Sequence, residues 1–122
     1  MGRIPLKIAI TAWGNRVSPV FDAARTLLVA QIENQTIQTQ TYTEFCPDAI
    51  LELVSLLTKM KVSTLICGAI STKPADTIVE NHIRLVSFVS GNALDILNSF
   101  ASRHTIDQTH MMPGCSLEYS RR

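Results

Sequence analysis

The hydrophobic pattern of this chain first changes period near Cys46-Pro47, and that change restricts the fold more than any other feature. Ahead of it, Leu6 to Ala12 is a short apolar run with two isoleucines, which predicts a buried central strand. Leu27 to Glu33 predicts a second strand, and Asn34-Gln35 a two-residue turn, weaker than Asn-Gly because Gln resists positive φ. Thr36 to Tyr42 alternates Ile37, Thr39 and Thr41 with Gln38, Gln40 and Tyr42, so this polar strand belongs at a sheet edge. After the change, apolar residues recur at helical spacing: Ile50, Leu53, Val54 and Leu57 form one face through about Met60. Cys46 is the expected cap of this helix, with Pro47 at its first position.

The remainder alternates. Val62 to Cys67 reads as a buried strand, and a second helix follows with Ser71 or Thr72 as cap and Pro74 in its first turn. It is expected to end at Asn81-His82, two residues that tolerate left-handed backbone. Ile83 to Val89 predicts the last strand, and Ser90-Gly91-Asn92 opens a third helix with Ala93, Leu97, Phe100 and Ala101 on its apolar face. The order βββ-α-β-α-β-α gives antiparallel pairs first and right-handed parallel crossovers second. The economical assembly is an α/β domain: one five-stranded mixed sheet covered by helices, with the first strand central beside the fourth. All 122 residues fit a single domain, with a tail from about His104.

Composition removes several classes of function. A net charge of +1 offers no electrostatic footprint for nucleic acid or an anionic membrane. No apolar run approaches the ~20 residues of a membrane helix. Three cysteines with no close pair argue against a disulfide framework, so reduced thiols and a cytoplasmic location are expected.

Val17-Ser18-Pro19-Val20-Phe21-Asp22-Ala23-Ala24-Arg25 carries more constraint than a connection needs. Pro19 fixes its own backbone and pushes Ser18 toward extended geometry, while Phe21 is a large apolar group in a segment expected to face water. In open α/β sheets ligands bind beyond the carboxyl ends of the strands, at the switch between the two halves. The Trp13–Arg25 loop, Cys67–Ser71 and Ser90–Asn92 are expected to meet there, the last two contributing helix amino termini that attract anions. Trp13 is expected to pack as a plug of its loop, with a partner surface shared with Phe21 as the alternative. Cys115 follows a Pro-Gly turn near the terminus, where a free thiol has no packing role. Met111, Met112 and Cys115 are soft donors that suit iron–sulfur or copper chemistry, but the chain has neither Cys-x-x-Cys nor His-x-x-x-His spacing. Any cluster binding is therefore open, partial and transient.

Together these pieces resemble the dinitrogenase iron–molybdenum cofactor biosynthesis family, of the NifX and NifB carboxy-terminal type. The resemblance rests on Lys7-Ile8-Ala9-Ile10, Val17-Ser18-Pro19-Val20-Phe21-Asp22-Ala23-Ala24, Leu65-Ile66-Cys67-Gly68-Ala69-Ile70-Ser71 and Met112-Pro113-Gly114-Cys115, in that order and over nearly the whole chain. It implies a ribonuclease H-like α/β/α fold with strand order 3-2-1-4-5 and strand two antiparallel. It also implies a non-enzymatic carrier of an iron–sulfur or iron–molybdenum cluster, or its precursor, handed between metallocluster assembly proteins. Where cluster-carrying relatives often have His-Phe-Gly, this chain has Val20-Phe21-Asp22, so binding here either falls to Cys67, Cys115 or other donors or is absent. On this reading the cofactor site comprises Ser18, Phe21, Cys67, Gly68, Ser71, Gly91, Met112 and Cys115, with Cys67 and Cys115 as metal ligands.

Two further classes remain. Phosphoryl chemistry on such a scaffold needs converging carboxylates beginning on the first strand, and Ile8-Ala9-Ile10-Thr11-Ala12 has none. A metal-free module binding a small anion or a protein would use the helix amino termini after Gly68 and at Gly91. Either binding reading is compatible with a monomer or a weak dimer.

Overall fold

The computed structural model describes residues 6–103. Met112 and Cys115, two of the expected site residues, lie outside them.

Strand β1 (Leu6–Trp13) sits in the middle of the sheet, as its apolar run requires. Its alternation feeds two cores. Ile8, Ile10 and Ala12 face one side with Leu28, Ala30, Ile66 and Val86, and Ala9 faces the other with Leu27, Val29, Leu65 and Leu85. β1 turns at Gly14-Asn15 into the two-residue strand β2 (Arg16–Val17), with Gly14 at φ 64°, where a side chain is disfavoured. β3 (Thr26–Glu33) runs antiparallel to β1, and β4 (Thr36–Glu44) antiparallel to β3. Their turn places both Asn34 and Gln35 at positive φ, 57° and 64°, so the strand twist prevails over the reluctance of Gln. β5 (Thr64–Ile66) and β6 (Arg84–Val86) add on the other side of β1, both parallel.

The path β4-β3-β1-β5-β6 is the expected 3-2-1-4-5 order with its second long strand antiparallel, and β2 makes a sixth, short strand beside β1. Helices α1 (Ile50–Lys59) and α2 (Thr72–Glu80) place Leu53, Leu57, Ala75 and Ile78 on the face of Ala9 and Leu27. Helix α3 (Ala93–Arg103) covers the opposite face with Ile96, Leu97 and Phe100. Each fully buried Leu or Ile contributes ~2 kcal/mol of transfer free energy, so the two interleaved cores hold the three layers together.

Three local expectations need correction. Helix α1 begins at Ile50, not after Cys46: Ala49 N–H donates to the Cys46 carbonyl at 3.2 Å, so Cys46-Pro47-Asp48-Ala49 close a turn first. Pro47 is buried there, and Cys46 is exposed rather than capping. β5 and β6 are three residues each, shorter than their apolar runs, because the chain leaves the sheet at Cys67 and Ser87 to enter the loops described next. No helix among the described residues is long and apolar enough to cross a membrane.

Candidate functional site

Three loops leave the carboxyl ends of β1, β5 and β6 and bind one another through their backbones. Ser18 N–H donates to the Thr11 carbonyl at 2.8 Å, holding the first loop against β1. That loop then reaches across to the turn after β5. Ala69 N–H donates to the Pro19 carbonyl at 2.9 Å and Phe21 N–H to the Ala69 carbonyl at 2.7 Å, making a parallel bridge between Val20 and Ala69. The loop after β6 joins from two directions. Phe88 N–H donates to the Gly68 carbonyl at 2.9 Å and Val89 N–H to the Cys67 carbonyl at 3.0 Å. Val17 N–H donates to the Gly91 carbonyl and Ala93 N–H to the Asn15 carbonyl, each at 2.9 Å. The three expected segments therefore do meet, as a continuation of the sheet by loops.

Gly68 is the knot of this weave. A Cβ there would collide with the carbonyl oxygens of Ser18 and Pro19, and backbone cannot move aside as a side chain can. Ser18 is buried and its hydroxyl donates to the Val20 carbonyl at 3.1 Å, fixing the bend before Phe21. Phe21 is wholly buried, with its ring centroid 5.9 Å from that of Phe45. Its place is beneath the loop, as an anchor from the core, so a direct contact with a guest is not what the ring provides. Trp13 has the opposite fate. At 71% exposure it is no plug, and the plugging role belongs to Phe21. Phe88 stands at φ 62°, a costly conformation for a bulky residue, held by its bond to Gly68.

On the outer side of the first loop lies an open cleft of about 480 Å³. Trp13, Gly14, Ser18, Pro19, Val20, Ala23, Ala24, Arg25 and Thr26 line it. Its walls are mostly apolar, Val20 is 43% exposed at its edge, and Arg25 supplies a positive charge. Trp13 stands free, whereas its position at the end of a buried strand favours a plug and leaves an exposed surface as the alternative. Arg25 could have been found, because it closes the constrained segment.

The two helix amino termini are treated differently by this chain's own side chains: Ser71 makes no cap bond to the α2 amides, whereas α3 is capped. At α2 the Ser71 hydroxyl lies 3.4 Å from Asp22 Oδ1, which brings a carboxylate to the positive end of the helix. At α3, Asn92 Oδ1 accepts from the amides of Leu94 at 2.9 Å and Asp95 at 3.1 Å. Gly91, at φ 123°, serves the weave through its carbonyl.

The cysteines divide sharply. Cys67 is fully buried, and its thiol is pushed far above its ordinary value, chiefly by burial and secondarily by the Asp22 charge. Without a metal the thiol is held in its protonated form, and full burial keeps its sulfur from the open surface of the rim; a bound metal would have to reach it there and displace the proton. Thr11 Oγ1, on the same face of β1 as Ala9, is also buried and has no hydrogen-bond partner among the described residues, a cost of about 1–3 kcal/mol. Cys46 is exposed immediately after Phe45, whose N–H donates to the Arg25 carbonyl at 2.9 Å. Among the described residues no group of three or more His, Cys, Asp or Glu side chains is placed to hold a metal ion. A closed metal site is therefore not built into this part of the chain, and a cluster held here needs donors from elsewhere.

The sequence profile of the family described as dinitrogenase iron–molybdenum cofactor matches residues 5–103. Among solved structures, a Methanococcus jannaschii protein provisionally described as a dinitrogenase is 18% identical, with a TM-score of 0.66 over 84% of this chain and 91% of that one. A Thermotoga protein provisionally described as a NifB protein is 16% identical, with a TM-score of 0.63 over 90% and 99%. The orange protein of Desulfovibrio gigas is 18% identical, with a TM-score of 0.62 over 82% and 89%. At such identities these three likenesses speak for the fold alone. Comparison with curated proteins gives no match.

Proposed function

This chain belongs to the dinitrogenase iron–molybdenum cofactor family, and from that premise we propose that it is a non-enzymatic carrier of an iron–sulfur or iron–molybdenum cluster, or of a precursor. The cargo sits at the cleft beside the first loop, held loosely enough to be passed to another assembly protein. One observation carries the reading: the three loops are tied into one rigid rim by backbone bonds, and the rim presents an open, mostly apolar cleft with an arginine in its lining.

The chemistry fits a passenger better than a resident group. Clusters of iron with sulfide and thiolate carry net negative charge, which Arg25 attracts, and their bare sulfides are poorly hydrated, which suits Trp13, Pro19 and Val20. Gly68 and Gly91 shape the rim from behind, Ser18 fixes its bend while lining the cleft, and Phe21 anchors it from below. The donors are Cys115, with Met112 as a second soft atom. A single supplied thiolate leaves most of the cluster's coordination to ligands that arrive and leave with it, as transfer requires. The Asp22 carboxylate beside the α2 amino terminus and the Asn92 cap of α3 weigh against the metal-free anion reading.

Anaerobic reconstitution of the full chain with iron and sulfide, followed by absorbance and metal analysis, tests this. Wild type is expected to retain substoichiometric to one cluster per chain, and Cys115→Ala to lose most of it. Equal and negligible retention by both ends the carrier reading.

A further inference from the structure

Among the described residues the two edges of the sheet, β4 and β6, are protected unequally. β6 is three residues long and carries Arg84, so it offers little to a passing strand. β4 has nine residues, is exposed over most of its length, and contains no proline. Its one formal charge is Glu44, at its end. A bulge is present, with Gln38 the extra residue between Ile32–Ile37 and Gln31–Thr39, but it lies near the turn. From Thr39 to Glu44 the outer edge is regular, and Ile37 is the β4 residue packed against the core.

We propose that β4 is a homodimer interface, pairing antiparallel with β4 of a second copy to join the two sheets. Self-complementarity favours a second copy over another partner. An antiparallel pair of identical strands that continues one sheet has its two-fold axis normal to that sheet, so each residue meets one from its own face. Thr39, Thr41 and Thr43, opposite Gln31, Val29 and Leu27, form a ladder on one face. With the axis at Thr41, Thr39 meets the partner's Thr43 and Thr41 meets the partner's Thr41, and cross-strand threonine pairs are favourable. On the other face Gln40 meets the partner's Tyr42, which is 57% exposed in the single chain. Glu44 lies away from its own mate. An axis at Gln40 instead sets Thr39 on the partner's Thr41, so neighbouring registers are also free of charge repulsion.

The arrangement leaves the cleft open. β4 runs parallel to β1, whose carboxyl end bears the rim, so reversing the strand in the partner sets the two rims at opposite ends of the joined sheet. The dimer stands whether or not the cleft holds a cluster.

Sedimentation equilibrium of the full chain at roughly 0.1 mM, enough to saturate a micromolar association, tests it. Wild type is expected at about twice its 13.5 kDa chain mass. Thr39→Lys with Thr41→Lys sets like charges across the seam and is expected to raise the dissociation constant about tenfold or more, with the circular dichroism unchanged. Thr39→Glu with Thr41→Glu is expected to do the same, and an equimolar mixture of the lysine and glutamate variants to recover the dimer. A monomeric wild type, a lysine variant as dimeric as wild type, or a mixture that stays monomeric would each overturn the proposal.

Discussion

The β3–β4 wing and the loop rim use the same backbone bonds to opposite ends. In the wing the register runs from Thr26–Glu44 to Glu33–Thr36 with one bulge, and the outer strand is exposed along nearly its whole length. At the rim no regular strand survives past Ile66 or Val86, yet Pro19, Phe21, Cys67, Gly68, Ala69, Phe88 and Val89 all engage one another by main-chain bonds. The wing is regular, and the exposed side chains of its outer strand, β4, are widely interchangeable as far as folding is concerned. The rim is irregular, and nearly every side chain in it is chosen by geometry. Regular structure is therefore no guide here to where the sequence is most tightly specified.

Substitutions can break that contrast, beginning with the largest effect. Phe21→Ala empties a fully buried site against Phe45 and is expected to cost about 3–5 kcal/mol in denaturant unfolding. A loss below about 1 kcal/mol would mean that the first loop is not anchored through this ring. Gly68→Ala forces a Cβ onto the Ser18 and Pro19 carbonyls, and a loss of roughly 3 kcal/mol is expected in the same assay. An unchanged midpoint would show that the weave relaxes freely.

Cys67 gives a smaller, pH-dependent effect. Its folded value lies above the unfolded one, so above about pH 9 the unfolded chain releases a proton that the folded chain retains. Stability is complete below that pH and falls as pH rises, by about 1.4 kcal/mol per unit for this group. Cys67→Ala is expected to remove that part of the slope, read from unfolding curves at a series of alkaline pH values. An identical slope in both proteins would place the thiol in solvent. In the wing, Thr41→Ala is expected to shift stability by no more than about 0.5 kcal/mol. A loss as large as that of Gly68→Ala would erase the distinction between the two regions.

The same contrast explains what could be read from the sequence. The wing and central strand were legible because burial and alternation follow directly from a period of two: Ile8, Ile10, Leu28 and Ala30 are where the pattern puts them. The change of period at Cys46-Pro47 located the first crossover, although Pro47 closes a turn before α1 rather than opening it. At the rim the constrained loop, Gly68 and Gly91 stood out, since proline and glycine mark special backbone. What stayed hidden was direction. Nothing local distinguishes a Phe21 that turns inward from a Trp13 that turns outward, and only the packing against Phe45 decides it. Phe88 at positive φ is equally unreadable, because its bond to Gly68 comes from a loop twenty residues away in sequence. The thiol of Cys67 could be placed at a strand end, but its burial beneath the first loop depends on that loop's path.

Trp13 is the sole tryptophan, and it stands exposed in the lining of the cleft. Its fluorescence therefore reports on the cleft directly when a preassembled iron–sulfur cluster is titrated anaerobically into the full chain. Saturable quenching that ends near one cluster per chain, and that weakens in Arg25→Ala, is the result expected if the rim holds the cargo. Cluster retained by metal analysis with Trp13 emission unchanged would put the cargo elsewhere on the molecule and contradict the account.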